Sequence, residues 1–247
     1  MKPIRVCVAA WVLCSCGASA EFLYMRGDKP GTFIDISATG TVLDIDADET
    51  VVITTTKGNR LLPAGRLVVG YNGAVGYGAT PSDFLTDVNA PIDTVLNTPN
   101  PGVFGGGRAT LMAHDNPGTR TAVTQIIYEE LTDRVVIMYN DIPIGDTTIS
   151  YQLQIFDPPI GLDPPREECF AQYLFADIER PPAFGGAIFT IGYQDGVGGT
   201  NNNVQWSFNT QFAVRNGSIL TLCTPAPGSL AGFVLGAAAV LRRRRCS

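Results

Sequence analysis

The ten residues from 147 to 156 read TTISYQLQIF and alternate between two kinds of side chain. Large apolar side chains occupy one set of alternate positions, Ile149, Tyr151, Leu153 and Ile155. Polar side chains occupy the other set, Thr148, Ser150, Gln152 and Gln154. A period of two over this length is typical of a β-strand that buries one face. The stretch therefore predicts a strand with its apolar side chains on a core and its polar side chains on the opposite face.

The two segments before this strand complete a small sheet. Residues 122–129 and 134–140 are rich in β-branched and aromatic side chains, and Leu131-Thr132-Asp133 lies between them as a turn. Such runs on either side of a short polar turn predict a hairpin. With residues 147–156 they predict a three-stranded meander at the centre of the sheet.

The rest of the body predicts more short strands between Gly- and Pro-rich turns. Residues 32–38 read as the first strand, and Asn72-Gly73 is a strong tight-turn signal between two later ones. Residues 80–107 read as a long polar loop. About a dozen short strands with almost no helical periodicity indicate an all-β fold. We predict two packed antiparallel sheets, a jelly-roll-like β-sandwich.

The first 20 residues predict a secretory signal peptide. Lys2 and Arg5 supply positive charge, residues 6–13 are apolar, and Ala18-Ser19-Ala20 offers a small-residue cleavage site. A lipobox-like alternative would make Cys16 the lipidated residue.

Residues 224–247 read TPAPGSLAGFVLGAAAVLRRRRCS and form a three-part tail. A proline motif comes first, then an apolar run at 230–241, then four cations; the motif is Pro225, Ala226, Pro227 and Gly228, and the cations are Arg242, Arg243, Arg244 and Arg245. The run predicts a single short C-terminal transmembrane helix, although a comfortable span needs roughly 20 residues. The arginines predict a cytoplasmic end. A plain membrane anchor is the alternative to a segment that is recognised and removed.

In that order, the three parts resemble the PEP-CTERM sorting signal of exported bacterial proteins. The resemblance implies processing by exosortase, a membrane transpeptidase, although Ala226 stands where that family usually has Glu. The body segments FIDISATGT, VVGYNGAVGYGA, RVVIMYNDIP, YQLQIFD and NVQWSFN resemble an exported β-domain that recurs in PEP-CTERM proteins. That group implies a β-sandwich exoprotein but no agreed activity.

The chain is therefore expected to consist of a signal peptide (1–20), an exported domain (21–223) and a sorting tail (224–247). The exported domain contains 11 basic and 23 acidic residues, a formal charge of −12. This charge disfavours binding to nucleic acid or to anionic lipid. Of the six cysteines, only Cys169 and Cys223 fall in that domain. Export permits a disulfide between them, and two independent buried thiols are the alternative.

Candidate chemistry in the domain is weak. Asp44, Asp46 and Asp48 could gather oxygens around Ca²⁺, but an EF-hand would have Gly and Glu where Glu49 and Thr55 stand. A solvated acidic hairpin turn is the preferred interpretation. No other metal or cofactor is expected.

Three other features have a structural explanation as well as a functional one. His114 beside Asp115 lacks a nucleophile motif. Asp177 and Glu179 are two apart on a predicted strand and so share a face, where they could act as a carboxylate pair, and solvated charge is the alternative. Trp206 could stack on a sugar, but its alternation with Val204 and Phe208 predicts a core position.

The expected function is non-enzymatic. We expect an exported, C-terminally sorted protein, held briefly in the inner membrane and then placed in the cell envelope, at the surface or in extracellular matrix. Its partners would be the Sec translocon, signal peptidase, an exosortase-type transpeptidase and extracellular polysaccharide, with no nucleic acid. A carbohydrate- or calcium-binding module is the second hypothesis, and a hydrolase is the third.

Overall fold

A computed structural model describes residues 23–46, 49–77, 108–114, 118–162, 167–179, 189–195 and 203–225. In these ranges every helix-or-strand assignment is a strand, and the strand pairs are antiparallel. None of these ranges contains a helix with the length and hydropathy of a membrane span. The prediction of an all-β antiparallel fold is confirmed.

The described strands, numbered along the chain, form two sheets. The seven-stranded sheet has the spatial order β1 (Tyr24–Arg26), β13 (Ile219–Pro225), β10 (Glu167–Asp177), β9 (Thr147–Leu162), β8 (Arg134–Ile144), β7 (Gln125–Glu130) and β2 (Thr41–Leu43). The six-stranded sheet has the order β12 (Val204–Phe208), β11 (Phe189–Asp195), β6 (Arg108–His114), β5 (Ala74–Tyr77), β4 (Gly65–Gly70) and β3 (Thr50–Thr55). β8 and β9 lie near the middle of the larger sheet, where the predicted meander places them.

Each sheet contains four consecutive strands side by side, β7 to β10 in one and β3 to β6 in the other. The described chain therefore builds most of its sandwich from two meanders, whereas a jelly roll is built from Greek keys. The β4–β5 connection contains the predicted Asn72-Gly73 turn, and Gly73 has a φ of 85°. That left-handed backbone favours glycine.

The inner faces of the two sheets share one apolar core. It contains Ile137 and Leu153 of the seven-stranded sheet and Val69 and Ile191 of the six-stranded sheet. Tyrosines within it reach across the gap: the hydroxyl of Tyr139 donates to the backbone oxygen of Gly70 at 3.1 Å, and that of Tyr173 donates to Gly192 at 3.0 Å. These bonds satisfy buried hydroxyls and tie one sheet to the other.

The outer face of the seven-stranded sheet is buried at its centre as well. Gln152 and Gln154, from the polar face of the TTISYQLQIF strand, are both 0% exposed. The chain at 30–36, which we call the N-terminal cover, lies over them. Residues 32–38 were predicted as a strand, but none is assigned there. The cover is joined to the sheet through side chains, so it forms no backbone ladder.

Three buried glutamines hold the N-terminal cover through its carbonyl groups. Their amide nitrogens donate to alternate backbone oxygens: Gln172 to Pro30 at 3.0 Å, Gln154 to Thr32 at 2.9 Å and Gln152 to Ile34 at 2.7 Å. The side-chain oxygen of Gln152 also accepts from the backbone nitrogen of Ile34 at 3.1 Å. Buried amides need such partners, and an extended segment offers a carbonyl on the same side at every second residue. Farther along the sheet, Ile36 packs in a separate apolar cluster with Ile127, Val136 and Met138.

Candidate functional site

The predicted sorting motif begins inside the folded domain. β13 ends at Pro225, the first residue of that motif, and Pro225 pairs in register with Glu167 on β10. The other sorting residues, Ala226, Pro227, Gly228 and Arg242 to Arg245, lie outside the described residues. So do Cys16 and the predicted cleavage residues Ala18 and Ala20. We call the end of β13 and its neighbours on β1 and β10 the tail edge.

A disulfide crosses the tail edge. Cys169 and Cys223 are bonded, with Cα atoms 4.0 Å apart and a sequence separation of 54. They are register partners on β10 and β13, and Cys223 also pairs with Tyr24 on β1. The start of the described chain and the last strand before the tail are therefore neighbours.

Ion pairs surround the disulfide. Glu167 meets Lys29 at 2.8 Å and Arg26 at 2.5 Å. The hydrogen bond from Lys29 holds the pKa of Glu167 below its usual range despite partial burial, and Tyr24 and Arg26 act in the same direction. Burial and the nearby Glu167 raise the pKa of Tyr24 to about 12. The tail edge is thus held by one carboxylate between two cations, with Tyr24 neutral at ordinary pH.

A second ion pair extends this network toward the end of β13. Arg60 contacts Glu168 at 2.9 Å and donates to the hydroxyl of Thr224 at 3.0 Å. Its guanidinium also lies 4.5 Å from the ring centre of Phe170. Arg60 therefore connects the residue directly before Pro225 to β10.

The tail edge contains the only cluster of three potential metal ligands found among the described residues. Ligand atoms of Glu167, Cys169 and Cys223 lie within 4.8 Å of one another. Both sulfurs are joined in the disulfide, so neither is a thiolate, the form that binds metal. The carboxylate is already paired with two cations. This arrangement is a covalent and ionic brace and offers no metal site.

The acidic turn shows a different pattern. Asp44, with a side chain 98% exposed, pairs with Arg120 at 2.6 Å. The backbone nitrogen of Asp46 donates to the Glu49 carboxylate at 3.1 Å, and the backbone nitrogen of Glu49 donates back to the Asp46 carbonyl at 3.1 Å. Asp48 lies outside the described residues. Calcium binding at Asp44, Asp46 and Asp48 stays a prediction.

Trp206 is not in the core, and that prediction was wrong. Ser207 pairs with Ile191 and Gln205 pairs with Gly192, so Trp206 is the extra residue of a β-bulge in β12. The bulge reverses the alternation: Trp206 is 39% exposed, while Ser207 is 6% exposed. A one-residue shift moves side chains to the other face of a sheet.

The hydrolase candidates gain little support from their surroundings. β10 ends at Asp177, so Glu179 is not on the strand with it; Glu179 is exposed and accepts from the backbone nitrogen of Asn216 at 3.3 Å. The prediction that these two carboxylates share a strand face was wrong. His114 is the last residue of β6, and Asp115 lies outside the described residues.

Sequence reasoning missed the glutamine contacts to the cover and the outward position of Trp206. The alternate polar positions Gln152 and Gln154 were visible in the sequence, but amides are usually exposed, so their burial was not indicated. No protein-family model, curated protein or solved structure matches the chain, so no homologous site assigns a role to any of these residues.

Proposed function

We propose that this protein is exported, sorted through its C-terminal tail and placed in the cell envelope or extracellular matrix as a structural or adhesive β-sandwich without catalytic activity. The leader at 1–20 carries the pattern of Sec export and signal-peptidase cleavage. The tail carries the pattern of an exosortase substrate.

One observation supports this proposal above the others: the disulfide-bonded strand β13 runs directly into the proline motif. Cys223 lies two positions before Pro225, and Pro225 still belongs to the strand. A disulfide is stable in an oxidising compartment, which agrees with export. A membrane transpeptidase acting after Pro225 would meet a folded, cross-linked edge next to its cleavage site.

The position of the tail edge also suits a load-bearing role. Attachment at the tail would pull on β13, which lies between β1 and β10 and is cross-linked to β10 at Cys169. Force applied at Pro225 would be transferred to β10 through the disulfide before the last strand could be peeled away. A structural or adhesive protein needs this resistance because it is held at one end and loaded elsewhere.

Terminal-peptide and intact-mass spectrometry would test the proposal on protein recovered separately from membrane and medium. Expected results are loss of residues 1–20 from both fractions and loss of the residues beyond about Pro227 from the processed form. If the membrane-bound form keeps an intact tail and no processed protein is released, the tail is a simple membrane anchor and the sorting proposal is wrong.

A variant without the positive charges of the tail tests what the four arginines do, and a variant without two domain arginines is its control. Replacing Arg242, Arg243, Arg244 and Arg245 with Gln should abolish membrane retention and tail processing, because these cations fix the cytoplasmic end. Replacing the exposed domain residues Arg66 and Arg215 with Gln removes positive charge from the domain alone. That variant should be retained and processed normally.

The second candidate function is a carbohydrate- or calcium-binding module at the cell surface. The exposure of Trp206 favours carbohydrate over calcium, because a surface indole is suited to stacking on a sugar ring. Calcium binding at the acidic turn would raise the melting temperature when Ca²⁺ is added, since a ligand that binds only the native state stabilises it. An unchanged melting temperature at millimolar Ca²⁺ would remove the calcium alternative.

A further inference from the structure

A second surface lies at the opposite end of β13 from the tail. Its centre is the indole of Trp206, which the bulge in β12 turns away from the core. β-Bulges often re-aim a side chain beside a functional site. Burial would stabilise this large ring, yet the ring stays 39% exposed.

The Trp206 ring is held in place. Its ring nitrogen donates to the backbone oxygen of Ala213 at 3.0 Å. The far edge of the ring lies 3.6 Å from the position that a Cβ on Gly27 would occupy. A ring that is held by this hydrogen bond and lies against Gly27 loses little conformational entropy when a ligand stacks on it, which favours binding.

A second exposed aromatic side chain lies beside that hydrogen bond. Phe212, next to Ala213 in sequence, is 54% exposed. Its backbone has a φ of 57°, and Asn209 in the same turn has a φ of 46°. A bulky residue rarely takes this left-handed conformation, and such strain is concentrated at ligand-binding sites. The turn thus presents Phe212 to solvent at an energetic cost.

The surrounding chemistry selects the ligand class. The described stretch 203–214 has no charged residue, although the predicted exported domain has a formal charge of −12. The same stretch carries exposed amides and a hydroxyl, at Gln205, Asn209, Thr210 and Gln211. Aromatic faces with neutral hydrogen-bonding groups match the C–H faces and hydroxyls of sugar rings. The two rings themselves carry no counter-charge for an anionic polymer. The nearest charged residues in sequence are Arg215, directly after Val214, and Arg26 and Asp28 on either side of Gly27, and Arg26 and Asp28 pair with each other.

A shallow groove lies over the start of β13 and the facing part of β10. Its volume is about 360 Å³, and its lining includes Gly31, Phe33, Leu174 and Ile219. The backbone oxygen of Ile219 lies 3.8 Å from the same Gly27 Cβ position that the Trp206 ring approaches. The Trp206 ring and the groove therefore both lie close to Gly27, and a chain of several sugar units could contact both.

We propose that Trp206, Phe212 and the adjoining groove bind an uncharged polysaccharide, with sugar rings stacked on the two aromatic side chains. This proposal rests on the second candidate function and names its site. It also places attachment at one end of β13 and ligand binding at the other.

Binding is measured with the secreted protein as recovered from cells, against neutral polymers (dextran, laminarin, xylan, cello-oligosaccharides) and anionic alginate. Trp206 is the only tryptophan after residue 20, so its fluorescence reports on the site directly. We expect at least one neutral polymer to shift that fluorescence and to retard the protein in an affinity gel. Trp206→Ala should weaken binding about tenfold or more. Val123→Ala, which shortens a side chain 60% exposed elsewhere, should leave binding unchanged.

Phe212→Gly separates binding from folding. Glycine accepts the left-handed backbone, so this variant should melt at the same temperature as the unmodified protein or higher, while its binding weakens.

Three outcomes would overturn the proposal: no neutral polymer binds, alginate binds equally well, or Trp206→Ala binds normally. A change in sedimentation on Trp206→Ala, with no sugar binding, would identify the surface as a contact between protein copies instead. Export and tail processing are measured separately by mass spectrometry, so the sorting proposal is tested independently of the sugar-binding proposal.

Discussion

The two faces of the seven-stranded sheet are buried by different means. The inner face packs apolar and aromatic side chains against the second sheet, in one continuous core. Much of the outer face is polar and is held by glutamines that bond the N-terminal cover, by the disulfide and by the Arg26–Glu167–Lys29 ion pairs. A single strand, β9, supplies both Leu153 and Gln152 to these opposite surfaces.

The two faces should therefore differ in which substitutions they tolerate. Hydrophobic burial scales with area and has little directionality, so the inner face should respond to changes in volume. Hydrogen bonds to a buried cover depend on single atoms, so the outer face should respond to changes in polarity at constant volume. The predictions below test this contrast, starting with the largest expected effect.

Removing the disulfide should have the largest effect. The double variant Cys169→Ala, Cys223→Ala removes a cross-link between residues separated by 54 positions. The chain-entropy relation predicts that the free energy of unfolding falls by about 4 kcal/mol. Urea unfolding followed by circular dichroism measures the loss. Unfolding the unmodified protein in reductant is the control, and it should show a comparable drop. A loss below about 1 kcal/mol in both experiments would mean that noncovalent contacts alone hold the tail edge.

On the inner face, Ile137→Ala should cost about 3 kcal/mol, because it leaves a cavity in a fully buried site. Ile137→Val removes one methylene and should cost about 1 kcal/mol. The ratio of these two losses, from denaturant midpoints, tests whether volume governs this face. Equal losses for the two variants would contradict that expectation.

On the outer face, Gln152→Leu keeps an extended side chain of similar size but leaves the backbone groups of Ile34 without their partner. We expect a loss of about 2 kcal/mol. Amide hydrogen exchange should also become faster at 30–36 before it changes in β8 or β9. Gln211→Leu, at an exposed position, is the matched control and should change stability by less than about 0.5 kcal/mol. Unchanged exchange in the cover would show that its apolar contacts at Ile36 are sufficient to hold it.

This contrast also separates what the sequence could predict from what it could not. Period-two alternation correctly placed β9, and the turn signal at Asn72-Gly73 correctly placed a hairpin. The pair Cys169 and Cys223 could be proposed because the predicted exported domain holds only those two cysteines. All three signals are local or arise from a simple count.

The missed features depend on distant parts of the chain. The cover precedes β9 by more than a hundred positions in the sequence, and it bonds to β9 through side chains, so it lacks a strand pattern of its own. The bulge at Trp206 shifts the alternation by one residue, and a periodicity argument assigns the wrong face whenever an unseen residue is inserted. For the candidate sites, the acidic turn was visible as a motif, but the neutral surface around Trp206 became visible only once the bulge was placed.

The smallest effect concerns charge on the outer face. The pKa of Glu167 is held below its usual range in the folded protein by Lys29, Tyr24 and Arg26, so folding favours the ionised carboxylate. The stability that this group contributes is present above its unfolded pKa and is lost as the pH falls through the lower folded pKa. Glu167→Gln should therefore lower the urea midpoint at pH 7, and the difference from the unmodified protein should shrink below about pH 4. Asp146→Asn, at an exposed turn position, is the control and should lower the midpoint at neither pH. If the difference for Glu167→Gln stays constant down to pH 3, the ion pairs do not stabilise the tail edge, and the disulfide and the glutamine contacts alone distinguish the outer face from the inner one.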